Sequence, residues 1–289
     1  LNKVANSSEY GSQAKYYLGI IAYESDDYVE ADRQFSQVSN EEKYQEKMSY
    51  FQADMNFKLG KFQEAINLGE KAMAQSSASE KSELNKIIGE SYFNLKQYDK
   101  AIPYLSQYKG KKGKWNNTDF YILGYAYYQQ KDYDNAIAQF NKIIEGNDFV
   151  AQNAYYHLGE SYLKSDKKQQ ALNAFKNASE MTFDAKIQED AYLNYAKLSY
   201  EIGNSYQSIP SVLSGFLEKY STNPNKETIE TLLINSFITS KNYREALVLL
   251  EKNKSFANKQ AYQKVTFYRG LELYTDGKYH EALQMFKKS

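Results

Sequence analysis

The sequence predicts an all-α fold, a solenoid of stacked helical hairpins, and three observations predict it. First, an anchor residue, small in most copies, is followed twelve positions later by Ala: Gly19/Ala31, Ala53/Ala65, Gly89/Ala101, Gly124/Ala136, Gly159/Ala171, Ile234/Ala246 and Gly270/Ala282. A degenerate copy carries Ala196 and Ser208, and successive anchors stand 34, 36, 35, 35, 37, 38 and 36 residues apart. Second, each copy has two amphipathic stretches. In the fourth, Ile122, Leu123, Ala126 and Tyr127 recur at helical spacing, a polar QQKDY follows, and Ile137, Phe140 and Ile143 mark a second helix. Third, aromatic residues make up 16% of the chain, too many for anything but an ordered protein with a sizeable core. One hairpin cannot bury its own apolar face, so neighbours must stack.

Taken in order, residues 1–11 read as the tail helix of a preceding, truncated repeat. The first copy spans 12–44 and the second 45–80, with Gly69 where the others place an aromatic four residues after Ala. The third, 81–115, ends in the basic run YKGKKGKW. The fourth (116–149) and fifth (150–185) are the most regular, and the sixth (186–224) is the degenerate one. The seventh spans 225–258, and the eighth, 259–289, stops while a helical pattern is still running, as in an array cut from a longer chain. Tyr28, Tyr98, Tyr133, Tyr243 and Tyr279 begin second helices.

Composition narrows the function. With 36 basic and 36 acidic side chains the net charge is zero, which argues against a general polyanion binder. No cysteine is present, so disulfides, a thiol nucleophile and thiolate metal sites are excluded. The nearly apolar stretches fall short of the about eighteen residues that span a bilayer. No phosphate loop, dinucleotide glycine pattern, nucleophile elbow or HExxH is found. His157 and Glu160 stand i, i+3 on one helix face without a second such pair, and His157 reads as structural. We therefore expect no enzyme, no metal and no cofactor.

The spacing aromatic-x2-Leu-Gly-x2-Tyr followed by Ala-x3-Phe resembles the tetratricopeptide repeat (TPR). Phe120, Leu123, Gly124, Tyr127, Ala136 and Phe140 match it, as do Tyr155, Leu158, Gly159, Tyr162, Ala171 and Phe175. The resemblance implies a right-handed superhelical solenoid of about eight TPR helix-turn-helix repeats, an alpha-alpha superhelix. It also implies a concave groove lined by the first helices, at the second, fifth, ninth, twelfth and thirteenth positions of each copy.

On that register the expected partner-binding groove comprises Tyr50, Asp54, Glu90, Tyr121, Tyr125, Tyr128, Tyr156 and Glu160. Tyrosine offers a large apolar body with a polar tip, which suits a binding surface. Lys111, Lys112, Lys114 and Trp115 form a candidate secondary contact for an acidic partner or lipid head groups. The competing reading has Trp115 packed on Phe120 as a hydrophobic staple over an Asn116 N-cap. Chaperone-carboxylate clamps of this family place Lys at position five and Asn at nine, and Tyr16 with Ile20, Tyr50 with Asp54 and Lys86 with Glu90 do not fit. RNA-reading relatives use small polar residues where this chain has bulky aromatics, so no nucleic acid is expected. The expected function is a protein–protein interaction scaffold for a protein or peptide partner, with an architectural spacer as the alternative. Self-association through exposed terminal repeats is a further expectation. Likeness to envelope-associated members of the family implies the bacterial periplasm or outer-membrane surface, with the cytoplasm as the alternative.

Overall fold

The computed structural model describes residues 1–6, 10–143, 145–252 and 259–289. Among them the chain is all-α, with sixteen helices and one isolated bridge, Lys111 to Lys114. The helices fall into two compact units, Leu1–Ser165 and Asp166–Ser289. The first unit holds α1 (Gly11–Glu24), α2 (Tyr28–Ser36), α3 (Glu42–Lys58), α4 (Phe62–Met73), α5 (Ala78–Asn94), α6 (Tyr98–Leu105), α7 (Asn117–Gln129), α8 (Tyr133–Phe140) and α9 (Phe149–Lys164). The second holds α10 (Lys168–Glu180), α11 (Ala185–Ile202), α12 (Ile209–Lys219), α13 (Lys226–Thr239), α14 (Tyr243–Lys252), α15 (Lys259–Thr275) and α16 (Tyr279–Lys288).

Within the first unit each odd-numbered helix packs on the helix after it, and that helix packs on the next odd-numbered one. The odd-numbered helices also touch directly, α1 to α3 to α5 to α7 to α9, and so form a continuous layer. The second unit repeats the pairwise order from α10 to α16. Close approach explains the small residues. Ala31, Ala65, Ala101 and Ala136 are wholly buried. A methyl group on Gly124 would stand 2.8 Å from the Phe140 ring, and one on Gly89 2.9 Å from the backbone nitrogen of Leu105.

Outside the sixth copy, the turn inside each hairpin follows one rule. Asp26, Gly60, Lys96, Lys131, Asp166, Lys241 and Gly277 all have positive φ, between 55° and 78°. The next residue's N–H then reaches back five residues, as Gln97 does to the Tyr92 carbonyl at 2.9 Å and Asp132 to Tyr127 at 3.0 Å. This is a Schellman closure, which satisfies carbonyls the helix end would leave orphaned. The same residue begins the second helix: Asp27 and Asp132 accept from the N–H groups of Glu30 and Asn135.

Three departures from the regular pattern have local causes. In the sixth copy the second helix starts later, and Ser208, where Ala is expected, is the N-cap of α12, accepting from Ser211 N–H. The longer loop before it is pinned by Asn204, which accepts from Tyr206 and Gln207 N–H and donates to the Tyr195 and Ser199 hydroxyls. Gly69 leaves room for Ile88, which fills the space of the missing aromatic. At the chain's start, where the tail of a helix is expected, residues 2–6 form turns, and Val4 N–H bonds the Leu1 carbonyl at 2.9 Å. Leu1 and Val4 are exposed, and so short a segment lacks the packing that sustains a helix in water. Residues 7–9 of the expected tail lie outside the described residues.

Candidate functional site

The layer of odd-numbered helices brings five of the eight expected groove residues into one aromatic cluster, and its hub is His157. From α7, Tyr121, Tyr125 and Tyr128 lie with ring centroids 6.2, 4.9 and 5.2 Å from the imidazole. Tyr156 lies at 5.3 Å and the buried Phe140 at 6.2 Å. His157 Nδ1 stands 2.9 Å from Glu160 Oε2. Burial pushes the Tyr121 and Tyr128 hydroxyls up, and Glu160, which accepts a hydrogen bond from Tyr128, adds to the latter. Tyr125 extends the cluster to Phe93 on α5 and to Tyr98 on α6, at 5.8 and 6.0 Å. These tyrosines are half-buried, so each keeps part of its surface in contact with solvent.

The remaining groove residues sit in two other clusters. Glu90 on α5 shares Lys86 with Asp119 on α7: Lys86 Nζ is 3.6 Å from Glu90 and 2.5 Å from Asp119. Asp119 is fixed by a capping box with Asn116. Burial raises the Glu90 carboxyl against the pull of Lys86, because one cation serves two carboxylates. Asp54 on α3 accepts from the Tyr23 hydroxyl on α1 and pairs with Lys58 at 2.9 Å. Lys58 Nζ lies over the Tyr23 and Tyr28 rings at 4.9 and 4.7 Å. Burial opposes the Lys58 charge, but bonds to Asp54 and Tyr28 hold its pKa above the ordinary value. Burial pushes Tyr50 up to about 12, with Asp54 contributing.

The basic run lies apart from these clusters. Lys111, Lys112 and Lys114 are exposed. Trp115 donates Nε1–H to the Tyr108 carbonyl at 3.0 Å and packs on Phe120 at 5.1 Å, with Asn116 as the N-cap of α7 between them. That is the hydrophobic staple, and it accounts for Trp115 within the fold.

A family model described as tetratricopeptide repeat matches residues 87–111, across α5 and α6. Over these residues the chain carries a tetratricopeptide repeat. A second family model, described as anaphase-promoting complex, cyclosome, subunit 3, matches residues 111–178. No curated protein sequence matches the chain. Among solved structures, MamA MSR-1 aligns at TM-score 0.51 and 21% identity, covering 60% of this chain and 97% of that chain. MamA AMB-1 aligns at TM-score 0.52 and 20% identity, covering 59% and 98%. At these identities the likeness is one of fold.

Tetratricopeptide-repeat register explains which site residues were missed. His157 occupies the sixth position of its repeat, off the expected groove set, yet the fifth, ninth and twelfth residues of the preceding repeat converge on it. Lys58, Lys86 and Tyr23 stand at thirteenth, fifth and twelfth positions, where a bare position count could have found them. Among the described residues no group of three or more His, Asp or Glu side chains is arranged to hold a metal ion, and no helix is long and apolar enough to cross a membrane.

Proposed function

We propose that the chain is a non-enzymatic protein-interaction scaffold that holds a segment of a partner protein on the odd-helix layer of its first unit. The observation that carries this reading is the cluster of Tyr121, Tyr125, Tyr128 and Tyr156 around His157 and Glu160, half-buried on one layer of neighbouring helices. Rings held by one another give up little conformational entropy when a partner covers them. The match over residues 111–178 to a subunit of a multiprotein complex supports a protein partner. Tyr50 and Asp54, with Tyr23 and Lys58, extend the same layer toward α1.

The test is a pull-down from envelope and from cytosolic extracts, wild type beside Tyr128→Ala/Tyr156→Ala. Tyr121 is left intact because its ring packs 6.0 Å from the wholly buried Phe140. A protein retained by wild type and lost by a variant of unchanged helicity supports the proposal and names the compartment. Equal retention by both, or none by either, defeats it and leaves the architectural spacer.

A further inference from the structure

Within the first unit a polar contact joins successive hairpins away from the tyrosine–histidine cluster. The residue five after a second-helix Ala meets the tyrosine three after the next repeat's anchor Gly. Glu70 accepts from the Tyr92 hydroxyl at 3.2 Å, and Asn141 donates to the Tyr162 hydroxyl at 3.2 Å. At Tyr92 the closure is completed from α6: the Tyr104 ring stacks on Tyr92 at 5.8 Å, and its hydroxyl donates to the same Glu70 at 2.9 Å.

Around Tyr127, between those two places, the closure does not form. Ser106 stands where Glu70 stands one repeat earlier, and its hydroxyl turns back to the Ile102 carbonyl at 2.7 Å. Gln139 stands where Tyr104 does, and its Oε1 accepts from Lys142 at 3.0 Å. The Tyr127 hydroxyl has no partner among the described residues, and a groove of about 530 Å³ opens beside it, lined also by Trp115, Phe120 and Lys142. Lys142 Nζ lies over the Phe120 ring at 5.0 Å, and Gly113 brings the basic run to the same groove. Lys109, Lys111, Lys112, Lys114 and Lys142 are exposed, and among the described residues none of them pairs with a carboxylate.

We propose that this groove takes an aromatic side chain flanked by carboxylates, presented by an acidic segment of a partner protein. The ring stacks on Tyr127 as Tyr104 stacks on Tyr92. One carboxylate accepts the Tyr127 O–H as Glu70 accepts that of Tyr92, and the others meet Lys142 and the basic run. The recessed floor suits a protruding side chain, whereas a membrane takes apolar groups that protrude from the protein. Trp115 is half-buried, with its N–H already given to the Tyr108 carbonyl. Phe120 and Tyr127 lie on a different face of α7 from Tyr121, Tyr125 and Tyr128, so this contact stands or falls separately from the scaffold reading.

Trp115, the chain's one tryptophan, lines the groove and reports on it. Its emission, excited where tyrosine does not absorb, is followed while the full chain is titrated with a synthetic peptide of one phenylalanine between runs of glutamate. A saturable shift that weakens with salt is expected, and the peptide with alanine in place of phenylalanine should give none. Tyr127→Phe keeps the ring, loses the O–H and should weaken binding about tenfold. Ser106→Glu/Gln139→Tyr rebuilds the closure of the preceding repeat and should abolish binding. Lys142→Glu replaces that double variant if circular dichroism shows it unfolded. No shift with the phenylalanine peptide, an equal shift with the alanine peptide, or unchanged binding by Tyr127→Phe or by the closed variant would each overturn the proposal. So would a shift produced by phosphatidylserine vesicles and not by the peptide.

Discussion

At the scale of single residues, the site is governed by charges that lack a full set of partners. Glu90 is the clearest case. Its side chain is 12% exposed, and the Lys86 it faces is held more closely by Asp119. Burial raises its carboxyl above the ordinary carboxylate value, with Asp119 and Glu83 adding repulsion and Lys86 opposing. The folded state therefore binds the Glu90 proton more tightly than the unfolded chain does. Its contribution favours folding below the ordinary carboxylate pKa and is lost as pH rises through the raised value. Glu90→Gln should raise the thermal midpoint at neutral pH and flatten the part of the stability–pH curve between those two values. Lys86 keeps Asp119, so the substitution leaves no cation stranded. A lower midpoint at neutral pH would show that the Lys86 pairing outweighs burial. Sequence supplied Glu90 as a groove position but not this balance, because Asp119 arrives from the next repeat through its capping box. His157 was hidden for the same reason: its partners lie on a neighbouring helix, and a lone His in a helical pattern carries no mark of them.

At the scale of helices and turns, the second helices start at tyrosines visible in the sequence, and the anchor-to-Ala spacing is the close packing of two backbones. The turns were not legible. Gly60, Gly203 and Gly277 suit a positive φ, but Asp26, Lys96, Lys131, Asp166 and Lys241 adopt it too, and nothing in their side chains announces it. The Schellman closure imposes that conformation at a cost a β-carbon makes plain. Lys96→Gly should stabilise the chain by about 0.5–1 kcal/mol, as relief of the left-handed backbone outweighs the added freedom of the unfolded chain. Gly60→Ala should destabilise it by about 1 kcal/mol. Urea denaturation of the two variants beside wild type measures both signs, and equal effects would mean that the turns relax. In the sixth copy the second helix starts later, so that Ser208, at the position where the other copies place Ala, caps α12.

At the scale of the molecule, stability in such an array is the sum of what each hairpin contributes and what it shares with its neighbours. Period and anchors sufficed to read that architecture from sequence, since every hairpin repeats the same apolar pattern. The site depends instead on the register between successive hairpins, which only the folded layer reveals. The same nearest-neighbour logic limits how far a local defect spreads. Gly89→Ala puts a methyl group 2.7 Å from Leu105 Cγ and 2.9 Å from its backbone nitrogen. Backbone cannot swing aside as a side chain can, so α5 and α6 must separate, at a cost of about 1–3 kcal/mol. Amide exchange should quicken in α5 and α6 and, more weakly, in α4 and α7, which pack directly on that pair. Protection in α1 and α2, which lie beyond α3, should change little. Hydrogen exchange followed by mass spectrometry resolves these helices one by one. Uniform loss of protection from α1 to α9 would mean that the first unit opens only as a whole, and the additive picture of its hairpins would fail.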